Sequence, residues 1–241
     1  MAIDQRKRQK KLAKQRAKRK AKVALQKRER PGSTSSYGSI AGLEFELAAR
    51  APIYRCYVAD EVFDAGLGYV VVSRRSGEKV AAGVILVDAY CLGVKDAIPM
   101  LKPRDFFDDF INNLPMRMKA VEPAYAKKLV EGAIAYARDL GFEPHSDYKL
   151  PRKILDEIDA SECSAEFTFG KDGKPFFVSG PYDSAARSKR IIDTLQRRCG
   201  PDGYHYLMGL SPNERIWNGD EPDDLEYDEE GDDEDEEEED K

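Results

Sequence analysis

GYVVVSRR (residues 68–75) and KVAAGVILVD (79–88) flank the turn residues Ser76, Gly77 and Glu78. Two apolar, β-branched runs on either side of a short Gly-containing turn predict an antiparallel hairpin. The second run is apolar almost without interruption from Val80 to Val87. A strand with one wet face alternates, whereas a strand covered on both faces reads as a continuous apolar run. Residues 79–88 are therefore expected at the centre of a sheet.

Working outward, AGLEFELAAR (41–50) predicts a short helix and IYRCYV (53–58) another strand. Downstream, Pro103 suits the first helical position, and a helix through RDFFDDFINNL follows, with Phe106, Phe107 and Phe110 expected inward and its carboxylates in solvent. PAYAKKLVEGAIAYARDL (123–140) carries a helical apolar stripe, and Gly141 stands where a helix stop belongs. A short helix is expected over 151–158. In EFTFGKDGKPFFVSG, Asp172-Gly173 between aromatic runs predicts a type I′ hairpin, and Pro175 makes its second strand irregular or an edge. Residues 183–198 form a further helix, capped by Asp183 or Ser184 and followed by Gly200. YHYLMG (204–209) is a last strand, with His205 partly buried in it. Strands and helices mix without regular βαβ alternation, so the fold class is α+β. One globular body spans residues 40–212.

The stretches AAGVILVDAYCLGVKDA, EGAIAYARDLGFEPHSDY and FTFGKDGKPFFVSGPYDS resemble a family of uncharacterised bacterial proteins. The resemblance covers roughly residues 50–208. It implies that the body is one folded unit, and it implies no particular activity.

Charge is distributed unevenly along the 241 residues. Residues 1–30 hold fourteen Lys and Arg against two acids, and residues 219–241 hold seventeen acids against Lys241 alone. The net charge of −6 thus conceals a nearly neutral body between ends of +12 and −16. A near single-sign basic block points to an anionic polymer, because neutralising phosphates releases condensed counterions. The expected nucleic-acid contacts are Arg6, Lys7, Arg8, Lys10, Lys11, Lys14, Arg16, Lys18, Arg19, Lys20 and Lys22. Arginine-rich segments often order on RNA, so RNA or a ribonucleoprotein is favoured over duplex DNA. The arm has no aromatic residues, so it positions rather than reads bases. Residues 31–39, PGSTSSYGS, form a flexible linker. The tail from 213 to 241 is expected to be disordered, shielding the arm or binding a basic protein. Trp217, just before the acid run, is a possible anchor or partner contact.

No apolar run reaches the length of a membrane span, and no apolar segment follows the basic start as in a secretory signal. A cytoplasmic protein without membrane contact is expected. Cys56, Cys91, Cys163 and Cys199 are widely spaced, and there are two histidines, so neither a zinc site nor another metal centre is expected. GKDGK lacks the spacing and the Ser or Thr of a phosphate loop, and no cofactor is expected. Within the body, Asp88 and Cys91 fall where a buried strand ends, followed by Lys95. With His145 they form the candidate catalytic group of an alternative reading as a hydrolase or nuclease. Against it stand a buried structural cysteine and a turn-capping aspartate. A third reading is a protein-interaction factor working through the acidic tail.

Overall fold

The computed structural model describes residues 40–180 and 183–208. The basic arm, the linker, Trp217 and the acidic tail lie outside the described residues. Strands β2 (Leu67–Ser76) and β3 (Lys79–Asp88) pair antiparallel without a break, from Leu67 opposite Asp88 to Ser76 opposite Lys79. Gly77 turns the chain at φ 63°. With β1 (Ile53–Ala59), β4 (Gly93–Pro103) and β5 (Met118–Ala120) they make a five-stranded sheet in the order β4-β3-β2-β1-β5. β3 is interior, as its composition requires.

Because successive side chains of a strand point to opposite faces, β3 divides into two sets. Ala81, Ile85 and Val87, with Val70 and Val72 of β2, join a core containing Phe45 of helix α1 (Ile40–Ala48) and Leu129, Val130 and Ala133 of helix α3 (Pro123–Asp139). Val80, Ala82 and Val84, with Val71, join Phe107 and Ile111 of helix α2 (Arg104–Asn112) on the other face. The body is therefore α+β, with helices on both faces of an antiparallel sheet. None of the helices among the described residues is long and apolar enough to cross a membrane.

Five features depart from the sequence expectations. Pro103 caps α2 from outside rather than opening it, and Phe106 is half exposed, because Phe107 and Ile111, one turn apart, are the pair that faces the sheet. β4 was not anticipated: its sequence, GVKDAIPMLKP, interleaves Lys, Asp and two prolines with apolar residues, which is tolerable only at an edge. The turn at Asp172 (φ 53°) and Gly173 (φ 77°) forms, closed by a bridge between Lys171 and Lys174. Its flanks do not continue as a hairpin. Phe167 and Phe169 instead pack with Phe63, Tyr125 and Tyr136, where ring burial is available. The following strand, β6 (Phe176–Val178), pairs in parallel with β7 (His205–Leu207), and α4 (Ala185–Cys199) connects them. His205 is exposed in this small two-stranded sheet, not partly buried.

Two glycines with nearly equal positive φ differ in surroundings. A Cβ on Gly77 would meet nothing within 4 Å, whereas one on Gly93 (φ 65°) would lie 2.8 Å from both the Ala133 carbonyl oxygen and Ala137 Cβ of α3. Gly77→Ala should cost only the left-handed backbone penalty, about 1–2 kcal/mol. Gly93→Ala adds overpacking against a helix backbone, about 1–3 kcal/mol more. Urea unfolding of the two variants should show the larger fall for Gly93→Ala, and equal losses would refute this close approach of α3 to β4.

Candidate functional site

The connection from β3 to β4 is built on Asp88. Its Oδ1 accepts hydrogen bonds from the Tyr90 amide (3.0 Å) and the Cys91 amide (2.9 Å), closing the turn. Asp88 is buried, and burial pushes its carboxyl from 3.8 up to about 6, with Lys95 and the turn amides opposing the rise. Cys91 is fully buried among Leu92, Phe177, Leu195 and Tyr204. Burial, and then the neighbouring Asp88, push its thiol far above the ordinary range, the reverse of what a nucleophilic thiolate needs. Among the described residues no hydrogen bond or ion pair joins Cys91 to His145. The structure thus brings Asp88 and Cys91 together as a turn and its buried neighbour, and puts His145 in a separate group.

That group depends on an irregularity in β4. Leu86 faces Asp96 but Val87 faces Val94, so Lys95 is an extra residue on the edge strand. Such a bulge re-aims the side chains around it. Lys95 reaches Asp183 at 3.6 Å, ahead of α4. Asp96 faces the loop after α3. This loop is set by the end of α3, where Gly141 (φ 92°) allows the Phe142 amide to bond back to Ala137 (2.9 Å) and turns the chain toward the sheet. The His145 amide then donates to the Val94 carbonyl at 2.9 Å.

Here His145 Nδ1 lies 3.8 Å from Asp96 Oδ1 and 3.7 Å from Asp147 Oδ2. One ligand atom from each of the three residues lies within 4.8 Å of the others. The Asp147 amide donates to the same Nδ1 at 3.3 Å, and the Ala97 amide holds Asp96 Oδ1 at 2.8 Å. Neither carboxylate has a Lys or Arg ion-pair partner among the described residues. His145 also lines a concavity of about 810 Å³, together with Arg138, Glu143, Lys149 and Arg152. The sequence grouped His145 with Asp88 and Cys91, whereas its side-chain neighbours in the structure are Asp96 and Asp147. Asp147, two residues on, was visible, whereas Asp96 is distant in sequence and arrives only through the β4 bulge.

A second surface feature is α4. Ser184 caps it by accepting from the Arg187 amide at 3.2 Å. Ser188, Ile191 and Leu195 fix its buried side. At about 100° per residue, Lys189, Arg190 and Arg197 fall on the opposite half-turn, with the acid Asp193 among them, while Arg187 and Arg198 flank the buried side. Asp193 pairs with Lys189 at 3.2 Å and Arg187 pairs with Asp183 at 3.4 Å, leaving an excess of positive charge. The arm residues Arg6 to Lys22 lie outside the described residues. Comparison of the chain with protein-family models, curated proteins and solved structures finds no match.

Asp88 sets a pH dependence whose sign is fixed by its raised value. Between pH 3.8 and about 6 the folded protein keeps a proton that the unfolded chain loses. Stability therefore falls as pH rises through that window, and the cost of the buried charge is complete above it. Asp88→Asn keeps an oxygen for the Tyr90 and Cys91 amides and removes the charge. Relative to wild type it should gain roughly 2–3 kcal/mol on going from pH 4 to pH 7, read from denaturant midpoints. A difference that does not change with pH would show that Asp88 is charged at little cost.

Proposed function

We propose that the protein is a nucleic-acid-associated accessory factor that holds RNA or a ribonucleoprotein through its N-terminal arm. The observation that carries this reading is the near single-sign charge of residues 1–30, fourteen cations against two acids. Such a block repels itself in isolation and gains by exchanging counterions for phosphates. The exposed side of α4 supports the same reading. It offers four further exposed cations, Lys189, Arg190, Arg197 and Arg198, on a fixed helix of the body, a second positive surface for a polyanion. Neither element carries the aromatic platforms that stack bases, so the binding is to backbone charge and shape, with little sequence preference. The burial of Cys91 gives no support to a thiolate hydrolase.

Deleting residues 1–30 should lower affinity for a structured RNA by roughly a hundredfold or more at low salt. For the intact chain, log affinity should fall against log salt with a slope steeper than about −4, as for six or more phosphate contacts on a single strand. Filter binding or fluorescence anisotropy at several salt concentrations measures both. Equal binding by the deleted protein would remove the basis of the proposal.

The acidic end gives a separate expectation. Its seventeen acids outnumber the cations of the arm. A linked competitor acts at roughly millimolar effective concentration. Removing residues 220–241 should tighten RNA binding at low salt. The gain should shrink near physiological salt, where the Debye length is about 8 Å. Unchanged affinity at low salt would mean that the tail does not occupy the arm.

A further inference from the structure

We propose that Asp96, His145 and Asp147 form a binding site for a first-row divalent transition ion. An imidazole nitrogen and two carboxylate oxygens from three side chains converge within 4.8 Å, close enough to share one cation. A nitrogen and two oxygens suit ions of the manganese-to-zinc series better than calcium, which takes oxygen ligands alone. Charge argues the same way. With a neutral imidazole the group carries two negative charges, and among the described residues neither Asp96 nor Asp147 is paired with Lys or Arg. The ligands are also held. The Ala97 amide fixes the Asp96 carboxylate, and the His145 backbone is tied to Val94 of the same strand. The Asp147 amide contacts Nδ1 at 3.3 Å as a donor, and a cation bound at Nδ1 would have to displace it. A cation at Nδ1 takes the lone pair of that nitrogen and leaves the opposite nitrogen, Nε2, as the N–H donor. Three protein ligands leave further coordination positions, and His145 stands on the wall of the concavity flanked by Arg138, Lys149 and Arg152. The site does not depend on the nucleic-acid reading, and either can fail alone.

The competing arrangement is an imidazolium lying between two carboxylates with no metal. The acidic end of the chain is a further complication, since its seventeen carboxylates will take up divalent ions weakly and without histidine. The chain has only two histidines, and this supplies a readout that separates these cases. Mn²⁺ titrated into the full-length protein above neutral pH, followed by the imidazole proton resonances, should broaden His145 early while His205 stays sharp. His145→Gln assigns the signals by deleting one. Asp96→Asn and Asp147→Asn, checked for native circular dichroism, should each shift the broadening of His145 to at least tenfold higher Mn²⁺. Asp96 is half exposed, so its variant tests the site with little risk to the fold. Three outcomes would overturn the assignment. His145 stays sharp through a large excess of Mn²⁺, it broadens in step with His205, or both Asp variants broaden at the wild-type concentration.

Discussion

Everything in this body follows from the need to cover β3 twice. A strand uncharged from Val80 to Val87 in the middle of a sheet leaves apolar side chains on both faces, and each face must find a partner. α2 supplies Phe107 to one, and α1, α3 and the short helical turn at Pro151–Leu155 cover the other. The small residues of β3 decide how closely that cover can approach. A Cβ on Gly83 would lie 2.8 Å from Ile154 Cγ2, so the turn packs on the backbone of the strand itself. Arg74, opposite Ala81 on β2, secures the arrangement. Its buried guanidinium donates to the carbonyl oxygens of Ile154 (3.0 Å), Ala51 (2.9 Å) and Asp156. One cation thereby ties three loop carbonyls together, including that of the buried Ile154.

The geometry of the candidate site is inherited from this covering. α3 lies across the sheet, and its C-terminal turn directs the chain back to β4 at the point where the ladder slips by one residue. The bulge at Lys95 sends one charge toward α4 and the next toward His145. It therefore connects the main sheet to two neighbouring elements with two adjacent side chains. Regular pairing there would have put Lys95 and Asp96 on other faces, because a one-residue shift reverses the orientation of every later side chain.

The parts of the fold that could be read from the sequence were those that depend on local chemistry. The β2–β3 hairpin, the stripe and stop of α3, the Ser184 cap and the turn at Asp172-Gly173 each have their cause within a few residues. The parts that escaped have causes at a distance. β4 looks like a loop because its prolines and charges are acceptable only at an edge, and edge status is a property of the sheet. The aromatic run at 167–169 has the composition of a strand, but its rings pack between Phe63, Tyr125 and Tyr136, residues distant in sequence. At the site, the residue types were seen and their grouping was not. Cys91 and His145 are both near the start of β4, yet burial separates their chemistry. Asp96 and Asp147 meet only because the α3 turn and the β4 bulge bring them together.

The composition of β4 also bears on how the protein withstands crowding. AAGVILV, at residues 81–87, combines high β-propensity, no charge and no proline, the pattern of segments that template intermolecular sheets. β4 lies directly over its open side, pairing Gly83 with Pro99 and Val80 with Lys102. A strand of this kind acts as a gatekeeper. It satisfies the backbone of β3, while its own outer side, lacking N–H groups at Pro99 and Pro103 and carrying Lys102, is a poor template for a further strand. The aggregation hazard of the chain is thus stored inward, and it emerges only if β4 detaches before the rest of the sheet unfolds.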